Sequence, residues 1–261
     1  MNPRLMGVVN VTPDSFSDGG LFLDAEAAVA HGQTLAEQGA DILDVGGEST
    51  RPGAEEVAAP EERARVEPVV AGLVAAGHEV SIDTSKLSVA EAALDAGASI
   101  VNDVTALRGD PEIGALCAER GAGLALMHMQ GDPRTMQRDP AYDDVVDDVL
   151  VFLAERLEVA LAAGVDRERI WLDPGIGFGK TLEHNLTLMK HLGALVATGF
   201  PVAVGTSRKR FLQRILGVDS PDLVREGSLA SAVLAMQAGV RMVRVHDVLA
   251  SVQAARLVGA A

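Results

Sequence analysis

One pattern recurs along the 261 residues: an Ala-rich helical stretch reaches a glycine, and a short β-branched run follows. The glycines are Gly39, Gly77, Gly97, Gly121, Gly164, Gly199 and Gly239, each placed where a helix ends in a left-handed residue. The runs that follow are Asp41–Val45, Val80–Asp83, Ile100–Val104, Leu124–His128, Ile170–Asp173, Val202–Gly205 and Met242–His246. Leu5–Val11 adds an eighth strand at the front. Helices are predicted near 24–38, 60–76, 87–96, 111–120, 142–163, 181–197, 222–238 and 247–258. The clearest is 142–163, where Val146, Val149, Leu150, Leu153, Leu157, Ala160 and Leu161 share one face.

Apolar strands that alternate with helices imply a parallel sheet covered on both faces. Eight such units in about 250 residues fit a (β/α)8 TIM barrel, here one domain over 1–261. A doubly wound open sheet is the runner-up. A barrel places its chemistry at the C-terminal ends of its strands. These finish at Asn10, Gly46-Gly47-Glu48, Asp83, Asn102-Asp103, His128, Asp173, Ser207 and Arg244/His246. The connections 10–22 and 46–60 are long and rich in Gly, Pro, Ser and Asp, as substrate-covering loops tend to be.

Within this frame one stretch stands out, Leu172-Asp173-Pro174-Gly175-Ile176-Gly177-Phe178-Gly179-Lys180. It is not a phosphate-cradling P-loop, because Pro174 stands where that motif needs glycine. A dinucleotide fingerprint would need glycine in place of Lys180. What remains is a strand that ends in an acid and a glycine turn.

Asp83, Asn102 and Asp173 each close an apolar strand, and carboxylates in such places need partners. Hydrogen bonding to a flat heterocycle rich in N–H donors is one reading, and capping of the next helix is the other. Arg51, Lys209, Arg244 and His246 form the basic set of the same rim. Arg244 and His246 lie two apart on one strand and project to one side, which suits a phosphate or diphosphate. Ser207-Arg208-Lys209-Arg210 also reads as a plain exposed basic turn. His128 reads as a satisfied core histidine.

Composition narrows the classes. A net charge of −15 argues against nucleic acid as a partner. No apolar run is long enough to span a membrane, and no signal-peptide core follows Met1, so the expected compartment is the cytoplasm. Cys117, the one cysteine, excludes intramolecular disulfides and cysteine zinc sites. Gly-x-Ser-x-Gly, HExxH and paired His/Cys spacings are absent from the sequence.

Several stretches resemble the dihydropteroate synthases. They are Gly7–Gly20, Asp44–Gly53, Ser81-Ile82-Asp83-Thr84, Val101-Asn102-Asp103, Asp173–Lys180, Ser207-Arg208-Lys209 and Arg244-Val245-His246-Asp247, in family order over nearly the whole chain. The resemblance implies a transferase that joins 4-aminobenzoate to 6-hydroxymethyl-7,8-dihydropterin diphosphate and releases diphosphate in folate biosynthesis. It implies that Asp83, Asn102, Asp173 and Lys209 hold the pterin. Arg244, His246, Asn10 and Thr50 would surround the diphosphate, with Asn10 also ligating Mg2+. The long loops, carrying Phe16, Asp18, Arg51 and Pro52, would close over the site and form the aminobenzoate pocket with Phe178. Asp83, Lys209, Arg51 and Asp18 would be the catalytic set. The resemblance also implies a homodimer and a sulfonamide target. Arg210 departs from the pattern, because many members carry serine there to bind the aminobenzoate carboxylate. Two alternatives share the barrel: a pterin-dependent methyltransferase domain and a catalytically silent pterin-binding paralogue.

Overall fold

Side chains alternate along a strand, so each strand of a closed barrel feeds two different interiors. The computed structural model, which describes residues 3–12, 20–50 and 53–260, shows both. Its first half comprises β1 (Arg4–Asn10), α1 (Gly20–Glu37), β2 (Ile42–Gly46), α2 (Ala59–Ala75), β3 (Val80–Asp83), α3 (Leu87–Asp95), β4 (Ile100–Asp103), α4 (Glu112–Arg120) and β5 (Gly123–Met127). The second comprises α5 (Val145–Ala162), β6 (Ile170–Asp173), α6 (Leu182–Lys190), α7 (Leu192–Val196), β7 (Ala203–Gly205), α8 (Arg210–Leu216), α9 (Arg225–Gln237), β8 (Met242–Val245) and α10 (Val248–Ala260).

All strand pairs are parallel, in the order β6-β5-β4-β3-β2-β1-β8-β7. A single parallel bridge, Leu172 with Val202, brings the two ends together. The (β/α)8 barrel expected from the repeating pattern is therefore the fold, and the open sheet is excluded. The seven helix-ending glycines all take positive φ, from 58° to 102°.

Outward-facing residues such as Val9, Leu43, Val45, Ile82, Leu124 and Leu172 pack with the helices in one continuous core. Inward-facing Met6, Ile42, Ile100, Ala203 and Met242, with Trp171, form a separate apolar plug. One two-residue stride further along those strands come Val8, Asp44, Asn102, Gly205, Arg244 and Asp173. That stride advances about 7 Å. The barrel thus changes from an apolar floor to a polar layer within one side-chain repeat.

Three helical expectations need correction. The single helix at 181–197 is broken at His191 (φ −110°, ψ 19°) into α6 and α7. Leu188, Leu192 and Leu195 remain wholly buried across the break, so the apolar periodicity conceals it. Residues 210–216, outside every predicted helix, form α8, which buries Phe211 and Leu212 and ends at Gly217 (φ 66°). The helix expected at 222–238 begins as a 3-10 turn over Pro221–Val224, and α9 proper starts at Arg225. In addition, α1 begins at Gly20, inside the connection expected at 10–22.

Candidate active site

The polar layer is wired together by one guanidinium. Arg244, on β8, donates from Nε to Asp44 Oδ2 at 2.6 Å and from Nη2 to Asp83 Oδ2 at 2.9 Å. Asn102 Nδ2 donates to the same oxygen of Asp44 at 3.1 Å. Four strands, β2, β3, β4 and β8, are thereby joined by side chains across the mouth. Of the pair Asn102-Asp103, Asn102 faces this network. Asp103 turns away and accepts from Thr105 N (2.7 Å), Thr105 Oγ1 (2.7 Å) and Leu107 N (2.6 Å), holding the turn in which Ala106 and Leu107 take positive φ.

Burial sets the electrostatics. It raises the Asp83 carboxyl to about 7, helped by Asp44 and opposed by Arg244. Asp173 is raised by burial and held back mainly by Lys209. Lys209 is lowered to about 8 by burial, with Asp173 opposing. Burial works against the charge on Arg244, but Asp44 and Asp83 outweigh it and leave the group raised. The mouth therefore sets two cations, Arg244 and Lys209, against three buried carboxyls, Asp44, Asp83 and Asp173.

On the other side of the mouth, Lys209 donates to Ile176 O and lies 4.5 Å from the centre of the Phe178 ring. Asp173 Oδ1 accepts from Gly175 N at 2.7 Å, closing the turn after β6. Helix α6 has its own cap, the Thr181–His184 capping box, so Asp173 is a turn-former and not a helix cap. The glycine turn has to be glycine. A Cβ on Gly175 (φ 65°) would lie 1.8 Å from His128 O, and one on Gly179 (φ 58°) would lie 2.7 Å from Gln130 O. Phe178 packs on a wall of Val104, Met127, Met129 and Met136.

Lys180 is taken up by the protein itself. Its buried amine contacts His128 Nδ1 (2.8 Å), Gly175 O (3.0 Å) and Phe178 O (3.0 Å). Burial, then Lys180 and Arg108, push the His128 imidazole down to about 2, which agrees with a core histidine. His246 lies just past β8 and is held through Ser207, whose Oγ is 3.0 Å from Nδ1.

Thr50 follows β2 at the start of the second long connection, and Asn10 closes β1, each half-buried. Phe16, Asp18, Arg51 and Pro52 lie outside the described residues. Arg210 is exposed and lines a surface groove along α8 with Gln213, Arg214 and Asp219. Asp44 is the participant that the strand-end rule misses, because it lies mid-strand. Its signal was present all the same: a carboxylate inside the apolar run Ile42-Leu43-Asp44-Val45.

A second charged cluster supports the base of that connection. Lys86, just before α3, reaches both Glu48 and Glu62, and Glu62 on α2 is only 1% exposed. Burial raises Glu62, against the hydrogen bonds from Lys86 and Thr84.

The fold and the charged layer at its strand ends define a class, (β/α)8-barrel enzymes with their polar groups gathered at the mouth, and comparison with known proteins narrows it. The family model for pterin binding enzymes matches residues 6–246. A dihydropteroate synthase from Neisseria meningitidis serogroup C is 48% identical over 255 residues, covering 97% of this chain and 90% of that protein. The structure of Xanthomonas albilineans dihydropteroate synthase with 4-aminobenzoic acid superimposes with a TM-score of 0.94 at 49% identity, over 99% of this chain and 93% of that one. The same enzyme with 7,8-dihydropteroate gives 0.90 at 46% identity, with the same coverage of both chains. The chain belongs to the pterin-binding enzymes and, within them, to the dihydropteroate synthases. It is a transferase.

Proposed function

We propose that the barrel mouth seats 6-hydroxymethyl-7,8-dihydropterin diphosphate and 4-aminobenzoate and joins them with release of diphosphate. Asp173, Asn102, Asp83 and Lys209 hold the pterin ring above the apolar plug. Arg244, His246, Thr50 and Asn10 surround the diphosphate. The loops at 10–22 and 46–60, with Phe16, Asp18, Arg51 and Pro52, close over the site, and Phe178 forms a wall of the aminobenzoate pocket. The observation that carries this reading is the Arg244–Asp83 pair: a cation fit for diphosphate bonded to a carboxylate fit for a positive centre.

Charge follows the residues. As the carbon–oxygen bond to diphosphate breaks, its electron pair leaves with the diphosphate, and Arg244 stabilises the growing negative charge. The methylene carbon left on the pterin is cation-like, and ionised Asp83 favours it. The aniline nitrogen then forms the new carbon–nitrogen bond and loses a proton. Positioning and charge stabilisation suffice, with no protein nucleophile.

Mg2+ fits this donor set as an ion that shares the diphosphate. Asn10 offers one neutral amide oxygen, and magnesium typically takes one or two protein oxygens together with substrate phosphates and water. It would neutralise diphosphate charge.

The assembly we propose is a cytoplasmic homodimer. No helix among the described residues is long and apolar enough to cross a membrane. Leu234 on α9 and Leu249 and Leu257 on the adjacent α10 are 53–73% exposed, and Ile215 and Leu216 on α8 are 49% exposed. These apolar side chains support a shared helical face.

The deciding experiment is diphosphate release from dihydropterin diphosphate, with and without 4-aminobenzoate and Mg2+, in wild type and Asp83→Ala. Release coupled to dihydropteroate formation and lost in the variant is expected. Pterin binding without turnover under every condition would instead identify a silent paralogue.

A further inference from the structure

Asp44 carries more of the site than its mid-strand position suggests. Its side chain is fully buried. One oxygen, Oδ2, accepts from both Arg244 Nε and Asn102 Nδ2, while Oδ1 has no hydrogen-bond partner.

We propose that Asp44 is a positioning residue that sets the donor and acceptor polarity of the pocket, aiming Arg244 and fixing which end of the Asn102 carboxamide faces the pterin. The proposal rests on the pterin reading above.

A carboxylate paired with a guanidinium only accepts, whereas a carboxamide has one donor end and one acceptor end. Asn102 must therefore spend its NH2 end on Asp44, which leaves its Oδ1 to accept an N–H from the heterocycle. An apolar or amide neighbour would leave the carboxamide able to turn over and present a donor. The same Asp44 oxygen holds Arg244 by Nε, and Asp83 takes one Nη2 hydrogen. The remaining guanidinium N–H groups are then fixed in direction for an anion. Ser81, the register neighbour of Asp44 on β3, is equally buried, but its Oγ has no hydrogen-bond partner and it takes no part in this network.

The test compares Asp44→Asn with Ser81→Ala by steady-state kinetics in both substrates and by titration with 7,8-dihydropterin alone. Asp44→Asn should weaken dihydropterin binding and lower kcat/KM for the diphosphate substrate by about tenfold or more. The KM for 4-aminobenzoate should move less than about twofold, and Ser81→Ala should behave as wild type. In a double-mutant cycle with Asn102→Ala, the two losses should be strongly non-additive. Unchanged pterin binding in Asp44→Asn, or additive losses in the cycle, would overturn the proposal. If Asp44→Asn does not fold, the wild-type protein labelled with 15N-asparagine decides. The Asn102 side-chain amide should be protected from exchange before any ligand is added, and exchange as fast as an exposed amide refutes its fixation. A wild type that binds no dihydropterin defeats the pterin reading itself, which separates the two failures.

Discussion

Arg244 Nη2 donates to Asp83 Oδ2 at 2.9 Å, a bond that ties β8 to β3 across the barrel mouth. The carboxyl is nevertheless raised to about 7, because burial outweighs the cation. If the ionised form favours the cation-like carbon, kcat/KM falls with unit slope as pH drops below about 7. Asp83→Asn should lose at least about a hundredfold in kcat above pH 7, a gap that narrows as pH falls and the wild-type carboxyl takes up its proton. The sign for stability is opposite. A folded-state value above the unfolded one means that ionisation costs stability as pH rises from about 4 to about 7. The stability of Asp83→Asn relative to wild type should therefore rise as pH goes from about 4 to about 8. Calorimetric melts across this range check it.

The Lys180 amine and the His128 imidazole, 2.8 Å apart, belong to stability and not to chemistry. Lys180→Met would strip hydrogen bonds from Gly175 O, Phe178 O and His128 Nδ1, at roughly 1–3 kcal/mol for each buried group left unsatisfied. The imidazole is held at about 2, far below its ordinary value, chiefly by burial. The unfolded chain binds a proton there first, so this contribution is intact above about pH 6.5 and is lost as pH falls towards 2. His128→Gln should flatten the acid limb of stability below pH 6, as read from denaturant melts.

The barrel was legible because its signals are local. Gly39, Gly77, Gly97, Gly121, Gly164, Gly199 and Gly239 end helices by backbone conformation alone, and the strand runs need no partner to be recognised. The rim residues Asp83, Asn102 and Asp173 were legible because the fold dictates which strand end carries chemistry. What the sequence withheld depends on tertiary geometry. Asp44 looks like an interruption in an apolar strand until Arg244, two hundred positions away, is seen to bond it. The break at His191 is invisible because Leu188 and Leu192 keep the buried face continuous. Lys86 and Glu62 stand 24 positions apart in no recognisable motif, and only the fold brings them together.

Two glycines with positive φ separate backbone strain from collision. Gly199→Ala (φ 78°) would meet nothing within 4 Å and should cost only about 1–2 kcal/mol. Gly175→Ala (φ 65°) would drive a methyl group to 1.8 Å from His128 O. It must displace the turn that carries Phe178 and Asp173, so urea melts should show a loss well above 2 kcal/mol, with kcat/KM falling in parallel.

Exposed apolar side chains on α8, α9 and α10 make the proposed homodimer testable. Sedimentation should give about twice the 27.2 kDa of one chain. Leu257→Arg, at a side chain 73% exposed, should shift the population to monomer without lowering the melting temperature of the monomeric fraction. A monomeric wild type at all concentrations would leave that face without a copy of this chain as its partner.

Lys86 lies between two carboxylates, and only one of them has access to water. Glu62 is 1% exposed whereas Glu48 keeps about a quarter of its side-chain surface. Lys86→Met would leave the Glu62 carboxyl buried without its cation, a loss of about 3–5 kcal/mol in denaturant melts. Adding Glu62→Leu should recover most of that loss, because removing both charges removes the uncompensated one. The double variant still leaves Glu48 untethered, two residues before Thr50. Stability should therefore return while the KM for dihydropterin diphosphate stays raised, which separates the fold-holding part of the cluster from its hold on the loop.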